Sequence, residues 1–402
     1  MVPLRYLVRF NPRPTATNSD ESCYLPMEAI SEFGAVDSSR MRPTPELAQG
    51  YSFVADGDVA YAKVTPCFEN GKGLRAAGLP GGHAFATTEI TVMRPLSQLD
   101  SRYLAWILQS EEFRAPGEAH MSGAGGLKRV PESYAARFRV RHPGIDVQRA
   151  VADYLDRETA KIDAFIAKNE ELVTLLTERR DSVWSDLYAE AANAARPIPL
   201  RRFVSSIADG PFGSSLTSAH YSEAGTRVVR LGNIGINEFR AGDEAFIPDE
   251  YAATLTAHAA LPGDVIVAGL GDDRMPLGRA CVLPDIGPAI VKADCYRVRP
   301  SDSVSPAFLA WVLSAPPTRG LMKLAARGST RERLNTSVAL DIEVPIPDAD
   351  TQADLVQRFA ASAATIDAAR GVAMRGVSLA RERRAALISA AVTGKIDVGV
   401  TV

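Results

Sequence analysis

Two stretches of this chain, residues 104–190 and 309–394, carry the same landmarks in the same order, about 204 residues apart. Leu104-Ala105-Trp106-Ile107-Leu108 returns as Leu309-Ala310-Trp311-Val312-Leu313, Gln148 as Gln352, Ile162-Asp163 as Ile366-Asp367, and Glu178-Arg179-Arg180 as Glu382-Arg383-Arg384. The openings agree too: Val2-Pro3-Leu4-Arg5 answers Ile198-Pro199-Leu200-Arg201 at an offset of about 196, which leaves room for a longer insertion in the second copy. Solenoid units run to some tens of residues, so a period this long means that each copy is a whole domain with its connector.

The connectors are the clearest secondary structure. From Val151, the positions Leu155, Glu158, Ile162, Phe165, Asn169, Leu172, Leu176, Arg179 and Val183 step by alternating four and three, a heptad seam with seven of its ten sites apolar. Neither Pro nor Gly occurs between Ile145 and Arg196. A helix of about forty residues is about 60 Å long, too long for one small domain to cover. The second connector, from Asp350 to about Thr393, repeats the seam with smaller residues: Leu355, Phe359, Ile366, Ala369, Ala373, Ala380 and Leu387. Gly371 and Gly376 weaken it as an isolated helix and let a partner backbone come close.

Charge supports pairing of the two. Residues 146–190 carry 6 Lys+Arg against 11 Asp+Glu, and residues 350–402 carry 7 against 5. The remaining segments are close to neutral, with 16 against 15 in residues 1–145 and 16 against 17 in residues 191–349. Any basic surface is therefore local, and the net charge of −3 does not exclude a polyanionic ligand. Two similar units suit a ligand with two similar ends, of which duplex DNA is one.

Each unit reads as mixed α+β. Gly57-Asp58-Val59-Ala60-Tyr61-Ala62, Thr88-Glu89-Ile90-Thr91-Val92 and Arg137-Phe138-Arg139-Val140 are β-rich runs between Gly and Pro punctuation, with one amphipathic helix near residues 101–113. The second unit follows in order with Gly263-Asp264-Val265-Ile266-Val267, Cys295-Tyr296-Arg297-Val298 and a helix near residues 306–313. Each unit ends on a basic, glycine-bearing loop. The first is Ser122-Gly123-Ala124-Gly125-Gly126-Leu127-Lys128-Arg129, and the second is Arg327-Gly328-Ser329-Thr330-Arg331-Glu332-Arg333-Leu334-Asn335. Glycines let backbone N–H groups approach a phosphate, and Arg can fork onto a guanine edge, although a solvated loop has the same composition.

Several chemistries lack their residues. Adenine-N6 methylation needs an Asn/Asp-Pro-Pro-aromatic loop, and Asn11-Pro12-Arg13-Pro14 has Arg where the second Pro belongs. A P-loop ends in Gly-Lys-Ser/Thr, and Gly394-Lys395-Ile396 fails at the hydroxyl. His83, His120, His142, His220 and His258 form no metal-ligand spacing, and Gly269-Leu270-Gly271-Asp272-Asp273 reads as a polar turn beside Arg274. The isolated Cys23, Cys67, Cys281 and Cys295 fit ordinary packing in a reducing cytoplasm. No signal peptide and no apolar run of membrane-spanning length is present, so a cytoplasmic chain is expected.

The segments Val151-Ala152-Asp153-Tyr154-Leu155-Asp156-Arg157-Glu158-Thr159-Ala160-Lys161-Ile162-Asp163 and Arg381-Glu382-Arg383-Arg384-Ala385-Ala386-Leu387-Ile388-Ser389-Ala390-Ala391-Val392-Thr393-Gly394-Lys395-Ile396 resemble the conserved regions of type I restriction–modification specificity subunits. Ala62-Lys63-Val64-Thr65-Pro66-Cys67-Phe68-Glu69-Asn70-Gly71-Lys72 resembles part of a first target-recognition domain, and Asp209-Gly210-Pro211-Phe212-Gly213-Ser214-Ser215 the opening of another. One departure is that Pro143-Gly144-Ile145-Asp146 and Pro347-Asp348-Ala349-Asp350 lack the acidic–glutamine pair expected ahead of the helices.

The resemblance implies an α+β chain with target-recognition domains at 1–145 and 196–349. Helical spacers at 146–195 and 350–402 would pair as an antiparallel coiled coil in a pseudo-twofold repeat. It implies a noncatalytic subunit of a bacterial defence complex that reads a bipartite double-stranded DNA site and assembles with two methylase subunits and motor/restriction subunits. The chain itself would hold no cofactor, with S-adenosylmethionine, ATP and Mg on the partners. The DNA contacts expected are Lys63, Thr65, Asn70, Lys72, Lys128 and Arg129 in the first unit. In the second they are Ser214, Ser215, Arg230, Asn233, Arg274, Arg327, Arg331 and Arg333. Two other readings fit the same residues: the recognition half of a fused type II-like enzyme, which a chain ending at Val402 disfavours, and a coiled-coil adaptor that binds no DNA.

Overall fold

A computed structural model describes residues 1–14, 20–272, 274–326 and 332–396. It divides into two compact units, Met1–Glu170 with Met374–Val402, and Glu171–Ala373.

In unit 1 an antiparallel sheet takes the spatial order Val8–Phe10, Ile90–Pro95, Val59–Ala62, Gly73–Arg75. A second sheet runs Met41–Pro43, Glu21–Leu25, His83–Ala86, Ser52–Ala55, with its middle pair parallel. Unit 2 repeats this topology. Its first sheet runs Val204–Ala208, Cys295–Pro300, Val265–Ala268, Ala280–Val282. Its second runs Phe246–Ile247, Thr226–Val229, Ala289–Val291, Ala259–Ala260, again with the middle pair parallel. The central strands Val59–Ala62 and Val265–Ala268 are buried along their whole length, which is why they read as unbroken apolar runs rather than alternating ones.

The turn before each of these strands is built identically. Gly57 and Gly263 sit at φ of 91° and 90°, a region open to glycine and strained for other residues. The next residue, Asp58 or Asp264, is buried and accepts 2.8 Å hydrogen bonds from the backbone N–H of Ala55 or Leu261. Each carboxylate also takes a two-pronged ion pair, from Arg94 at 2.7 and 2.8 Å and from Arg299 at 2.8 and 2.9 Å. Burying an aspartate is costly unless its charge is neutralised, and here both oxygens are matched.

The repeated glutamines are structural. Gln148 and Gln352 lie in the first turns of the long helices Ile145–Ala194 and Ala349–Thr393, of 50 and 45 residues, and both are buried. The Gln148 amide donates to the carbonyls of Gln98 (3.0 Å) and Pro143 (2.8 Å) and accepts from the N–H of Asp100 (2.9 Å). Gln352 does the same with Ser303 (3.0 Å), Pro347 (2.8 Å) and Ser305 (2.9 Å). One side chain thus ties the start of each long helix to the start of the repeated Trp-bearing helix, Ser101–Gln109 or Pro306–Ser314.

At the second long helix Asp348 is the N-cap. Its carboxylate accepts from the backbone N–H (3.0 Å) and hydroxyl (3.1 Å) of Thr351, and these bonds hold it below the usual carboxylate range. Asp348→Ala is expected to lower the unit 2 melting temperature by about 2–4 °C at neutral pH, by loss of an N-cap. A depressed pKa stabilises fully above the unfolded value of about 4 and is lost as pH falls through the folded value, so wild type and variant should converge in acid. Parallel melting curves at both pH values check this.

Within each unit the two long helices run antiparallel. In unit 1 Asp163 meets Arg384 at 2.9 Å and Glu170 meets Arg381 at 2.6 Å. In unit 2 Arg180 meets Asp367 at 3.3 Å and Glu190 meets Arg358 at 2.8 Å. The repeated Asp and Arg landmarks are therefore one interhelical ion pair made once per unit.

The seam differs from the expected one at alternate positions. Leu155, Ile162, Asn169, Leu176 and Val183 face inward as expected, but the intervening sites are Thr159, Ile166, Val173 and Arg180 instead of Glu158, Phe165, Leu172 and Arg179. Phe165 and Leu172 are exposed, as is Ala369 on the second helix, whereas Val377 and Ile388 are buried. Two polar residues disguise the true stripe. Thr159 satisfies its hydroxyl by donating to the Leu155 carbonyl at 2.6 Å. Arg180 lies over the Trp184 and Phe359 rings at 5.2 and 5.3 Å while pairing with Asp367.

Candidate nucleic-acid interface

In unit 1, residues 122–129 are exposed throughout, and Gly125 and Gly126 turn the loop at φ of 65° and 79°. Backbone bonds fix the end of this loop. Arg129 N–H donates to Ser122 O (2.9 Å), Val130 N–H to Lys63 O (2.8 Å) and Thr65 N–H to Lys128 O (2.9 Å). Lys63 N–H in turn donates to Glu89 O at 2.9 Å. Lys63, Thr65, Lys128 and Arg129 are thereby gathered at one edge of the sheet. Arg129 is not a free cation: its Nε and Nη2 donate to Glu89 Oε2 and Oε1, both at 2.8 Å. That pairing holds the Glu89 carboxyl below its ordinary value. Asn70 is exposed, and Lys72 is tied by its ammonium to the Met27 carbonyl at 3.2 Å.

Unit 2 has the same arrangement at the same topological place. Leu334 N–H donates to Gly269 O (2.9 Å), and Leu270 pairs with Arg333 across a two-residue antiparallel ladder. Arg333 Nε donates to Asp294 Oδ1 at 2.8 Å, and its guanidinium lies 5.3 Å from the Phe212 ring centre. Asp294 in turn is fixed by its N–H, which donates to Asp209 Oδ1 at 2.8 Å; burial raises the Asp209 carboxyl. Ser214, Ser215 and Arg274 are exposed, and Arg274 N–H donates to Asp272 Oδ1 (2.9 Å), the polar turn expected there.

One expected contact is corrected. Asn233 is fully buried: its amide donates to the carbonyls of Arg240 (2.8 Å) and Asp243 (3.0 Å), and its oxygen accepts from Arg230 N–H (2.9 Å). It has no edge left for a base, and it holds the loop closed instead. Arg230 is half-buried and ion-paired with Asp243. Arg327, Arg331 and Asp273 lie outside the described residues.

Glu89 and Asp294 were not among the expected residues. The signal that marks them is the repeat itself, since each is the residue immediately before a matched strand, Ile90–Pro95 or Cys295–Pro300.

Among the described residues, no cluster of three or more His, Cys, Asp or Glu is placed to hold a metal ion, and no helix is long and apolar enough to cross a membrane. Cys23, Cys281 and Cys295 are buried and Cys67 half-buried, as packing residues would be. Burial pushes the Cys281 thiol up to about 12.

No family model matches the chain. It is 31% identical over 195 residues to the specificity subunit of the type I restriction enzyme EcoEI from Escherichia coli, a match that covers 45% of this chain and 33% of that protein. The EcoAI specificity subunit from Escherichia coli is 30% identical over 192 residues, covering 44% and 33%. The matched segment thus spans a third of each curated relative. A solved chain from work on complex assembly and conformational transition of a type I restriction–modification system superimposes with a TM-score of 0.71 at 15% identity. That match covers 98% of this chain and 97% of that one. The shared fold is two mixed α/β domains with long helices.

Proposed function

We propose that this chain is the DNA-recognition subunit of a type I restriction–modification complex, reading a split double-stranded site with one half for each unit. The observation that carries this reading is the doubled topology, which presents a carboxylate-paired arginine at the same sheet edge in both units. Two copies of one reader match a ligand whose two halves share a backbone geometry and differ in base edges. The likeness to curated specificity subunits supports it. Two methylase subunits and motor/restriction subunits are the partners proposed, with S-adenosylmethionine, ATP and Mg bound on them, in the cytoplasm.

The purified chain is expected neither to methylate nor to cleave DNA. Transfer of a labelled methyl group from S-adenosylmethionine should appear only when the methylase subunit is added, and sequencing of the modified sites should show a split motif. Methyl transfer by the chain alone, surviving further purification, would refute the proposal.

A further inference from the structure

The two ion pairs at the sheet edge are solvent-exposed, with side-chain exposures of 43% and 30% for Arg129 and Glu89 and 51% and 18% for Arg333 and Asp294. Pairs this exposed contribute little to stability, so the fold alone gives no reason to build one twice at the same topological position. Their geometry gives a different reason. Glu89 takes Arg129 side-on, through Nε and Nη2, which leaves the Nη1 end of the guanidinium outside both bonds. Asp294 likewise takes Arg333 at Nε, with Phe212 beneath the guanidinium. The end-on Nη1/Nη2 fork is the edge that matches the side-by-side O6 and N7 acceptors of guanine in the major groove.

A lone arginine on an exposed loop has wide rotamer freedom and a full charge, and it serves any phosphate within reach. A carboxylate held at its flank removes both properties: the guanidinium is fixed in direction, and its long-range attraction for the backbone is largely cancelled. What survives is the short-range, directional fork. The backbone beneath is also fixed, by the bonds from Val130 to Lys63 and from Leu334 to Gly269.

Resting on the reading of the chain as a two-half DNA reader, we propose that Glu89 and Asp294 are specificity-determining positioning residues. Each aims one arginine, Arg129 or Arg333, at a guanine, so each half-site contains at least one G·C pair read by that arginine.

The test uses the complex assembled with its methylase subunit and sequences the sites it methylates in a randomised library, for wild type, Glu89→Gln and Asp294→Asn. Glu89→Gln should reduce selectivity for guanine about tenfold at one position of one half-site, and Asp294→Asn should do so at one position of the other. The freed guanidinium should then find a phosphate, so the slope of log affinity against log salt should steepen by about one. Arg129→Lys and Arg333→Lys keep the charge and lose the fork. They should relax the same positions while leaving the salt slope unchanged, and they keep the proposal testable where a carboxamide variant fails to fold. A half-site made only of A·T pairs would overturn the proposal, as would unchanged selectivity in the lysine variants. Carboxamide variants that change only the melting temperature would assign the pairs a purely structural role. A wild-type complex that methylates no split motif would instead defeat the underlying reading, which keeps the two failures apart.

Discussion

Replacing Gln352 by alanine is expected to destabilise unit 2 by about 3–5 kcal/mol, and Gln148→Ala to do the same to unit 1. The glutamine side chain is buried and uses both amide hydrogens and its oxygen. Its loss strands the N–H of Ser305 and the carbonyls of Ser303 and Pro347 in a site shaped for an amide. Each stranded group costs about 1–3 kcal/mol, moderated where water can enter. For a unit of this size the melting temperature should fall by roughly 8–15 °C. Gln352→Glu separates hydrogen bonding from packing: it keeps the volume and the acceptor, loses both donors and buries a charge, so it should be at least as damaging. Hydrogen exchange then reports which unit opens. A loss confined to the mutated unit is expected, and a change below about 1 kcal/mol would show that the amide only fills space.

Arg129→Ala and Arg333→Ala should each damage a different half-site, with selectivity falling roughly ten- to a hundredfold at one position. Lys128→Ala should behave otherwise. Lys128 is exposed and follows the loop glycines in sequence, and an ammonium is a point charge suited to a phosphate, so its loss should weaken all sequences alike and flatten the salt slope by about one. Binding titrations at several salt concentrations on DNA altered in one half-site at a time distinguish the outcomes. If Arg333→Ala changed both half-sites equally, the assignment of one reader to each half would be wrong.

Much of this architecture is legible in the residues. The recurrence of Trp106 as Trp311, Gln148 as Gln352 and Asp163 as Asp367 marks two copies of one domain with a helical connector, and the fold extends the match to sheet order and to the parallel middle pair. The helix seam is less legible, because both candidate stripes alternate by four and three and share every second residue. Phe165 and Leu172 are more apolar than Thr159 and Arg180, so composition favours the wrong alternate set. Only the partners of Thr159 and Arg180 reveal that the polar pair faces inward. Composition also fails at Asn233. Asparagine suits an adenine edge and a loop clasp equally well, and the choice depends on backbone carbonyls that only the folded loop brings near. Glu89 and Asp294 are illegible for another reason: a surface suited to a polyanion is expected to show as positive charge, and a carboxylate beside an arginine reads as a neutral pair.

Unit 1 is not contiguous in sequence. Its core packs Ile388, Ala391 and Val392 against Tyr103, Trp106 and Leu155, and the Tyr103 hydroxyl donates to the Val392 carbonyl at 3.3 Å. A ribosome emits residues in order, so the domain begun first is finished last. After residue 170 has been made, the whole of unit 2 must be translated before the closing helix arrives, a delay of roughly ten to forty seconds at about 5–20 residues per second. During that interval the core around Leu155 lacks the cover that Ile388, Ala391 and Val392 supply. Translation stalled near residue 374 would release a polypeptide with a complete second reader and an open first one, a partial product prone to aggregation and a natural client for chaperones.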